Sequence, residues 1–260
     1  MITFNIKDET TTKEFTFYGS GRENGAIIKS IDGLEYPDVR SAIDVVAGKK
    51  SAVYVNSKFG LRIITLTAQL FGDAVKSLFT RRSELLQAIR QEGYMKLVKF
   101  TTFDSLNLQF EAEVTKLVNP YTKNLKPLML ELVAPDWRFY SQTESTDTIL
   151  ATATEIVTNS GNEKTDPILQ ITGPANSITI TNLTTGGTFT LSENLTAGQV
   201  LVINTKEQTV VLNPSTNKFS ILTGDFFALG PGANSVEFAA TGSDANTKLE
   251  VIYRSAYLGL

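Results

Sequence analysis

The sequence predicts a mainly β protein of two domains with one packed α-helix, and three observations carry that reading. Residues 59–103 change their apolar period from two to a helical spacing and back, which marks strand, helix, strand. Elsewhere the apolar runs are short and alternate with polar residues between turn signals, as strands do. Charge also divides unevenly: residues 1–140 hold 19 basic and 16 acidic side chains, whereas residues 141–260 hold 5 and 11. A chain of 260 residues is long enough for two ordinary domains.

Taken in order, residues 2–6 and 14–18 read as two short strands joined by a polar, Thr-rich turn. The following Gly19-Ser-Gly-Arg-Glu-Asn-Gly25 fails as a phosphate loop, because its glycine spacing is wrong and neither a helix nor a Lys-Ser or Lys-Thr pair follows. Ala26 to Ile31 form a strand and Asp32-Gly33 a turn. Residues 34–58 lack a clean period, but Val45, Val46, Val53 and Val55 flank Ala47-Gly48-Lys49-Lys50 as a hairpin would. That hairpin is either a surface loop with a solvated tip or an arm reaching a neighbouring subunit. Apolar residues on an isolated hairpin otherwise lack burial.

In the central stretch Ile64, Leu66, Ala68 and Leu70 alternate with Thr65, Thr67 and Gln69, so a half-buried strand offers a polar face to a neighbour. From Asp73, placed to cap, Val75, Leu78, Phe79, Leu85, Leu86 and Ile89 fall at helical spacing, with Gly93 placed to stop a helix of about five turns. Arg82 falls in the middle of that stripe. It is therefore a candidate buried charge that must snorkel, pair, or face another subunit. Tyr94 to Phe103 return to strand composition, and Leu106 to Val114 alternate with Glu111 and Glu113 on the wet face. Asn119-Pro120 turns the chain, Leu128, Leu130 and Leu132 mark another strand, and the only Trp sits in Ala134-Pro-Asp-Trp-Arg-Phe-Tyr140, where the first domain closes.

The domains are thus 1–141 and 149–260, with 142–148 a polar linker. From Ile149, short β-runs such as Ser177 to Asn182, Gln199 to Ile203, Ser235 to Phe238 and Lys248 to Tyr253 recur between Gly-, Pro- and Asn-rich turns. This is the rhythm of an antiparallel sandwich.

Composition excludes more chemistry than it suggests. The chain has no Cys and no His, which removes thiolate and imidazole nucleophiles and the usual zinc sites. With a pI near 5.2 and no basic cluster, tight duplex binding is not expected, although DNA can pass nearby unbound. Glu111 and Glu113 read as a solvated face rather than a catalytic pair, and Asp244-Ala-Asn246 is too short for a calcium loop. Tyr253 and Tyr257 could stack on a sugar, but Tyr in a terminal strand is commonly core. No catalytic residue, cofactor site or metal site is expected. The charged N-terminus reads as neither signal peptide nor anchor and no window is apolar enough to span a membrane, so a protein made and kept in the cytoplasm is expected.

Several pieces resemble one family, the distal tail proteins (Dit) of phages with long noncontractile tails. They are Ile31-Asp-Gly-Leu34 with Arg40, Gly60-Leu-Arg-Ile-Ile-Thr-Leu66, the helix Leu78 to Ile89, and Ala134 to Ser141, in which Trp137 stands where the family more usually has Pro. In the second half they are Asn159-Ser-Gly161, Asp166-Pro167, Ile171-Thr-Gly173, Asn182 to Gly186 and Ala197-Gly-Gln199. The resemblance implies a tail-tube-like β-sandwich or barrel with one packed helix, followed by a galectin-like β-sandwich. It also implies a structural virion protein that forms a hexameric ring at the tail tip around the DNA channel. The implied partners are the tail tube protein, the tail-associated protein and receptor-binding proteins. A carbohydrate-binding module for host attachment is the alternative from another class, and a wall-degrading enzyme the third.

Overall fold

The computed structural model describes residues 2–21, 25–44, 53–72, 75–90, 95–118, 127–213 and 215–260. Backbone contacts divide the chain into a first unit, Met1–Gln142 with Leu258–Leu260, and a second unit, Thr143–Tyr257.

The first unit carries β1 (Thr3–Lys7), β2 (Glu14–Tyr18), β3 (Ala26–Asp32), β4 (Val39–Asp44), β5 (Val53–Phe59), β6 (Arg62–Leu70), α1 (Leu78–Ile89), β7 (Lys96–Thr101), β8 (Asn107–Val118), β9 (Leu128–Ala134) and β10 (Phe139–Ser141). Pairing runs β8-β7-β1-β2-β3-β6-β9 and returns from β9 to β8, so seven strands close into a barrel. Closure is possible because β8 is long. Its first half pairs with β7 from Asn107 to Ala112, and past that its second half pairs with β9 from Glu113 to Val118, across a bulge between Val114 and Lys116. The weakest seam is the single parallel register Tyr18↔Ile27 between β2 and β3.

Alternation decides which residues face inward. On β6, Arg62, Ile64, Leu66, Ala68 and Leu70 are buried while Thr65, Thr67 and Gln69 are half-buried on the other face. The interior holds a cluster of four phenylalanines, Phe4, Phe100, Phe110 and Phe139, with ring centroids 5.1 to 6.3 Å apart. Fully burying each such ring contributes roughly 1.5–3 kcal/mol, and the ring–ring geometry adds to that.

The helix is shorter than its sequence stripe. Ser77 caps it by accepting from the Thr80 amide at 3.1 Å, and Asp73 and Gly93 lie outside the described residues. Gly72 packs so closely on the backbone of Leu78 that a Cβ there would lie 2.9 Å from the Leu78 nitrogen, and the chain turns back before the helix can begin. Packed on β1, β2 and β6, α1 buries Leu85, Ala88 and Ile89, whereas Val75, Leu78, Phe79 and Leu86 remain exposed. The helix is thus rolled about its axis, covering one edge of a wide apolar stripe and leaving the other edge in solvent.

In the second unit two antiparallel sheets enclose an aliphatic core. One contains β11 (Ser145–Leu150), β21 (Lys248–Tyr253), β13 (Ile168–Thr172), β16 (Val200–Asn204), β17 (Thr209–Leu212) and β18 (Thr216–Asn217), in that order. The other contains β12 (Ala153–Asn159), β20 (Gly232–Thr241), β14 (Asn176–Asn182), β15 (Gly187–Leu191) and β19 (Leu222–Gly224). The stretch 142–148, expected as a linker, is largely strand: β11 pairs with β21 from Ser145↔Tyr253 to Leu150↔Lys248. Its polar residues are shared between an exposed face, Thr146 and Thr148, and a half-buried one, Ser145 and Asp147, rather than marking a lack of structure.

Candidate functional site

The residues proposed from the sequence for subunit contact fall on two features of the first unit. The first is the β4–β5 ribbon, an antiparallel pair that forms a sheet of its own, with register from Val39↔Phe59 to Asp44↔Val53. Val53 and Val55 lie on β5, while Val45, Val46, Lys49 and Lys50 lie outside the described residues. A two-stranded ribbon with no third strand is marginal by itself in water, so what fixes its root decides whether it can act as an arm.

The root is fixed by tilted and edge-on aromatic packing. Phe59, the last residue of β5, lies on Trp137 with centroids 4.2 Å apart, and Tyr36 meets Phe59 edge-on at 5.6 Å. The Gly60 amide then donates to the Asp38 carbonyl at 2.7 Å, closing the ribbon's base. Nearby, Asp136 holds Arg138 and Tyr140, accepting from Arg138 Nε at 3.1 Å and from the Tyr140 hydroxyl at 2.7 Å.

Below the root lies Arg62, only 2% exposed. Its Nε donates to the Trp137 carbonyl at 2.7 Å, Nη1 to the carbonyls of Gly33 at 2.8 Å and Glu35 at 2.7 Å, and Nη2 to the Leu258 carbonyl. The guanidinium also lies over the Phe139 ring, 4.2 Å from its centroid. Burial pulls its pKa down to about 10, with Glu35 opposing, so the group stays charged at neutral pH. One planar cation therefore ties together three separate stretches of backbone, 33–35, 137 and 258, through four carbonyls. Gly33 allows this, since at φ +90° a Cβ would lie 2.1 Å from the Ile63 carbonyl oxygen.

The second feature is the outer face of β6, where Thr65, Thr67 and Gln69 stand half-buried. Both backbone edges of β6 are used, by β3 and by β9, so only side chains can meet a neighbour there. Arg82, the sequence candidate for a buried charge, is half-buried; among the described residues the buried charged side chains are Asp8, Arg62 and Lys96. The alternation itself held the missed signal. Counting back from Ile64 puts Arg62 on the inner face, and counting back from Val98 does the same for Lys96.

In the second unit the polar core is built from asparagines. Asn234 Nδ2 donates to the carbonyls of Gly230 at 2.8 Å and Gly232 at 3.0 Å, and its Oδ1 accepts from the Gly230 amide at 2.8 Å. Asn182 Nδ2 donates to that same oxygen at 3.3 Å. Tyr253, weighed above as a sugar platform, is buried, with its hydroxyl 2.9 Å from the Thr158 carbonyl and 3.0 Å from Asp147 Oδ2. Burial and the Asp147 carboxylate push its pKa up to about 12. A ring held there cannot stack on a ligand.

Residues 160–257 match the family model described as siphovirus-type tail component, C-terminal domain. No curated protein matches the chain. Among solved structures, the Dit protein of phage SPP1, described as a paradigm of the hub adsorption apparatus in phages infecting Gram-positive bacteria, is similar with a TM-score of 0.71 and 12% identity. The match covers 97% of this chain and 98% of that one. A chain of the phage P2 baseplate in its activated, calcium-bound conformation is similar with a TM-score of 0.51 and 10% identity, over 97% and 98% of the two chains. Residues 160–257 thus match the C-terminal domain of siphovirus-type tail components, and the chain over nearly its whole length shares the fold of SPP1 Dit.

Proposed function

We propose that the protein is a structural, non-enzymatic component of the tail tip. In this reading hexameric rings form at the distal end of a noncontractile tail tube and join it to the tail-associated and host-adhesion proteins. DNA passes through the ring without specific binding, and the ring is assembled in the host cytoplasm. The observation that carries this reading is the shared fold over 97% of the chain and 98% of SPP1 Dit, a protein described as a hub. Support from the geometry comes from the β4–β5 ribbon, a separate two-stranded sheet with an aromatic root, suited to reach a neighbouring copy. A head-to-tail contact of that kind closes into a ring when the rotation per copy is right.

Deletion of residues 48–51 tests the arm. Both units are expected to stay folded while the chain is lost from assembled tails, seen by electron microscopy and by immunoblotting of purified virions. Normal tails from this variant would reduce the ribbon to decoration.

The carbohydrate-binding alternative draws on one observation in the second unit. Phe219, half exposed, stacks on Phe226 with centroids 6.2 Å apart. The charged groups beside it are engaged with each other, Lys218 Nζ lying 2.8 Å from Glu193 Oε2, which leaves the aromatic pair without an obvious hydroxyl-binding partner. No saturable glycan response at sub-millimolar concentration is expected.

A further inference from the structure

We propose that a cationic rung of the β4–β5 ribbon in one copy docks on a carboxylate pair of β8 in the next; this rests on the ring reading above and names its contact. Register sets Arg40 directly opposite Lys58, so two positive side chains share one rung of the ribbon, and both are exposed. Like charges placed across a rung, with Cβ atoms about 5 Å apart, are destabilising unless an anion lies between them. Among the described residues neither Arg40 nor Lys58 has an ion pair or a side-chain hydrogen bond, and Asp38, two positions before Arg40, does not supply one. Alternation also turns this rung away from its own barrel. Phe59 follows Lys58 and lies on Trp137, and Val39, opposite Phe59, precedes Arg40. The face with Val39 and Phe59 is thus the one laid on the first unit, and the face with Arg40 and Lys58 looks outward. Ala42 and Asn56 make its next rung, small groups over which a second surface can close.

The receiving side is β8, the one strand of the first unit that carries two acidic residues. Phe110 and Ala112 point into the barrel, so Glu111 and Glu113 stand outside on one face, both exposed and roughly 7 Å apart along the strand. Lys99, opposite Gln109, and Lys116, opposite Glu131, border the pair, but among the described residues neither glutamate forms an ion pair. Apolar groups make the floor beside them. Leu97 lies opposite Glu111 and Val133 opposite Glu113, both half-buried, with Ile63 half exposed beyond Val133. Two unpaired cations therefore meet two unpaired carboxylates at comparable separation, over ground that loses water on contact.

Nucleic acid is the other anion that such a rung could meet. Two cations neutralise too few phosphates to hold a duplex, whereas they match Glu111 and Glu113 one for one. The two patches differ, so each copy gives one and receives on the other. A contact of this heterologous kind propagates from copy to copy, as a ring requires.

Charge reversal tests the pairing. Arg40→Glu with Lys58→Glu, and separately Glu111→Lys with Glu113→Lys, should each lower incorporation into tails roughly tenfold or more. Melting of the isolated protein should not change, because all four side chains lie in solvent. Both reversals combined in one chain should restore incorporation. The chain has no cysteine, so Lys58→Cys with Glu113→Cys, oxidised in assembled tails, should give a ladder of linked chains on a non-reducing gel. Normal incorporation of either reversal would overturn the proposal, as would a combined variant that melts normally yet stays out of tails. Links that stop at dimers, or that close within one chain, would overturn it too. Ribbon-reversed tails that assemble normally but deliver DNA poorly would assign the rung to nucleic acid instead. Tails in which the wild-type chain forms no ring would overturn the functional reading itself, so the two failures are distinguishable.

Discussion

Lys96 Nζ lies 2.6 Å from Asp8 Oδ2, and both side chains are buried. Asp8 also accepts from the amides of Thr10 at 2.9 Å and Thr11 at 3.2 Å, so one carboxylate neutralises a buried ammonium and shapes the β1–β2 turn. The Lys96 hydrogen bond holds the Asp8 carboxyl below its usual range, with burial opposing and the two amides assisting.

Stability of the first unit should therefore fall in acid. A carboxyl depressed in the folded state contributes stability that is fully present above the ordinary aspartate range and is lost as pH falls through its lowered folded value. Denaturation followed by Trp137, the only tryptophan and a residue of the first unit, should show this loss below about pH 4. The paired change Asp8→Asn, Lys96→Met should flatten it. Asp8→Ala alone should cost about 3–5 kcal/mol, because it strands a buried ammonium. A single-variant cost below about 1 kcal/mol would show that water reaches Lys96.

Arg62→Met should destabilise the first unit by at least about 3 kcal/mol, since it leaves carbonyls of Gly33, Glu35, Trp137 and Leu258 without their donor. Arg62→Lys should rescue little of this, because one ammonium cannot reproduce the planar fork. Equal stability of Lys and Arg variants in urea denaturation would refute the planar requirement.

Trp137→Ala should loosen the arm and spare the barrel. Stacking on Phe59 contributes roughly 0.5–1.5 kcal/mol beyond area burial, a large share for a ribbon without a third strand. Amide exchange over residues 39–44 and 53–59 is expected to speed up, while β6 and β9 keep their protection. Unchanged exchange in the ribbon would mean that its root is held elsewhere.

In the second unit, Asn234→Asp should be worse than Asn234→Ala. The amide nitrogen faces the carbonyls of Gly230 and Gly232, and a carboxylate oxygen placed there replaces two donations with repulsion. The Ala variant should cost about 1–3 kcal/mol by leaving those groups unsatisfied. Calorimetry should also show Asn234→Asp gaining stability in acid as its carboxyl protonates.

The strands were largely legible because each half-buried strand writes a period of two into the chain. Ile64 to Leu70 and Leu108 to Ala112 are cases where every inward residue is apolar. The helix was legible in kind but not in orientation. Its stripe from Leu78 to Ile89 is wider than the surface that covers it, and sequence does not say which edge wins. Arg62 and Lys96 are charged and so carry no apolar mark of burial, although the alternation of their strands puts both inside. The polar stretch before Ile149 resembles a linker because β11 is polar on both faces, with Thr146 and Thr148 exposed and Ser145 and Asp147 half-buried beside Ile149, Asp147 accepting from the Tyr253 hydroxyl.

The return of Leu258–Leu260 to the first unit bears on synthesis as well as on stability. The Leu258 carbonyl completes the Arg62 site, the Leu260 amide donates to the Leu34 carbonyl at 3.1 Å, and Gly259 lies where a Cβ would come within 2.5 Å of the Glu35 carbonyl oxygen. On the ribosome these residues emerge only after all of Thr143–Tyr257 has been made. The barrel that begins the chain must therefore wait, with a charged guanidinium short of one acceptor, while the sandwich is translated. A released chain truncated after Tyr257 should hold a folded second unit and a first unit that is still protease-sensitive near Trp137.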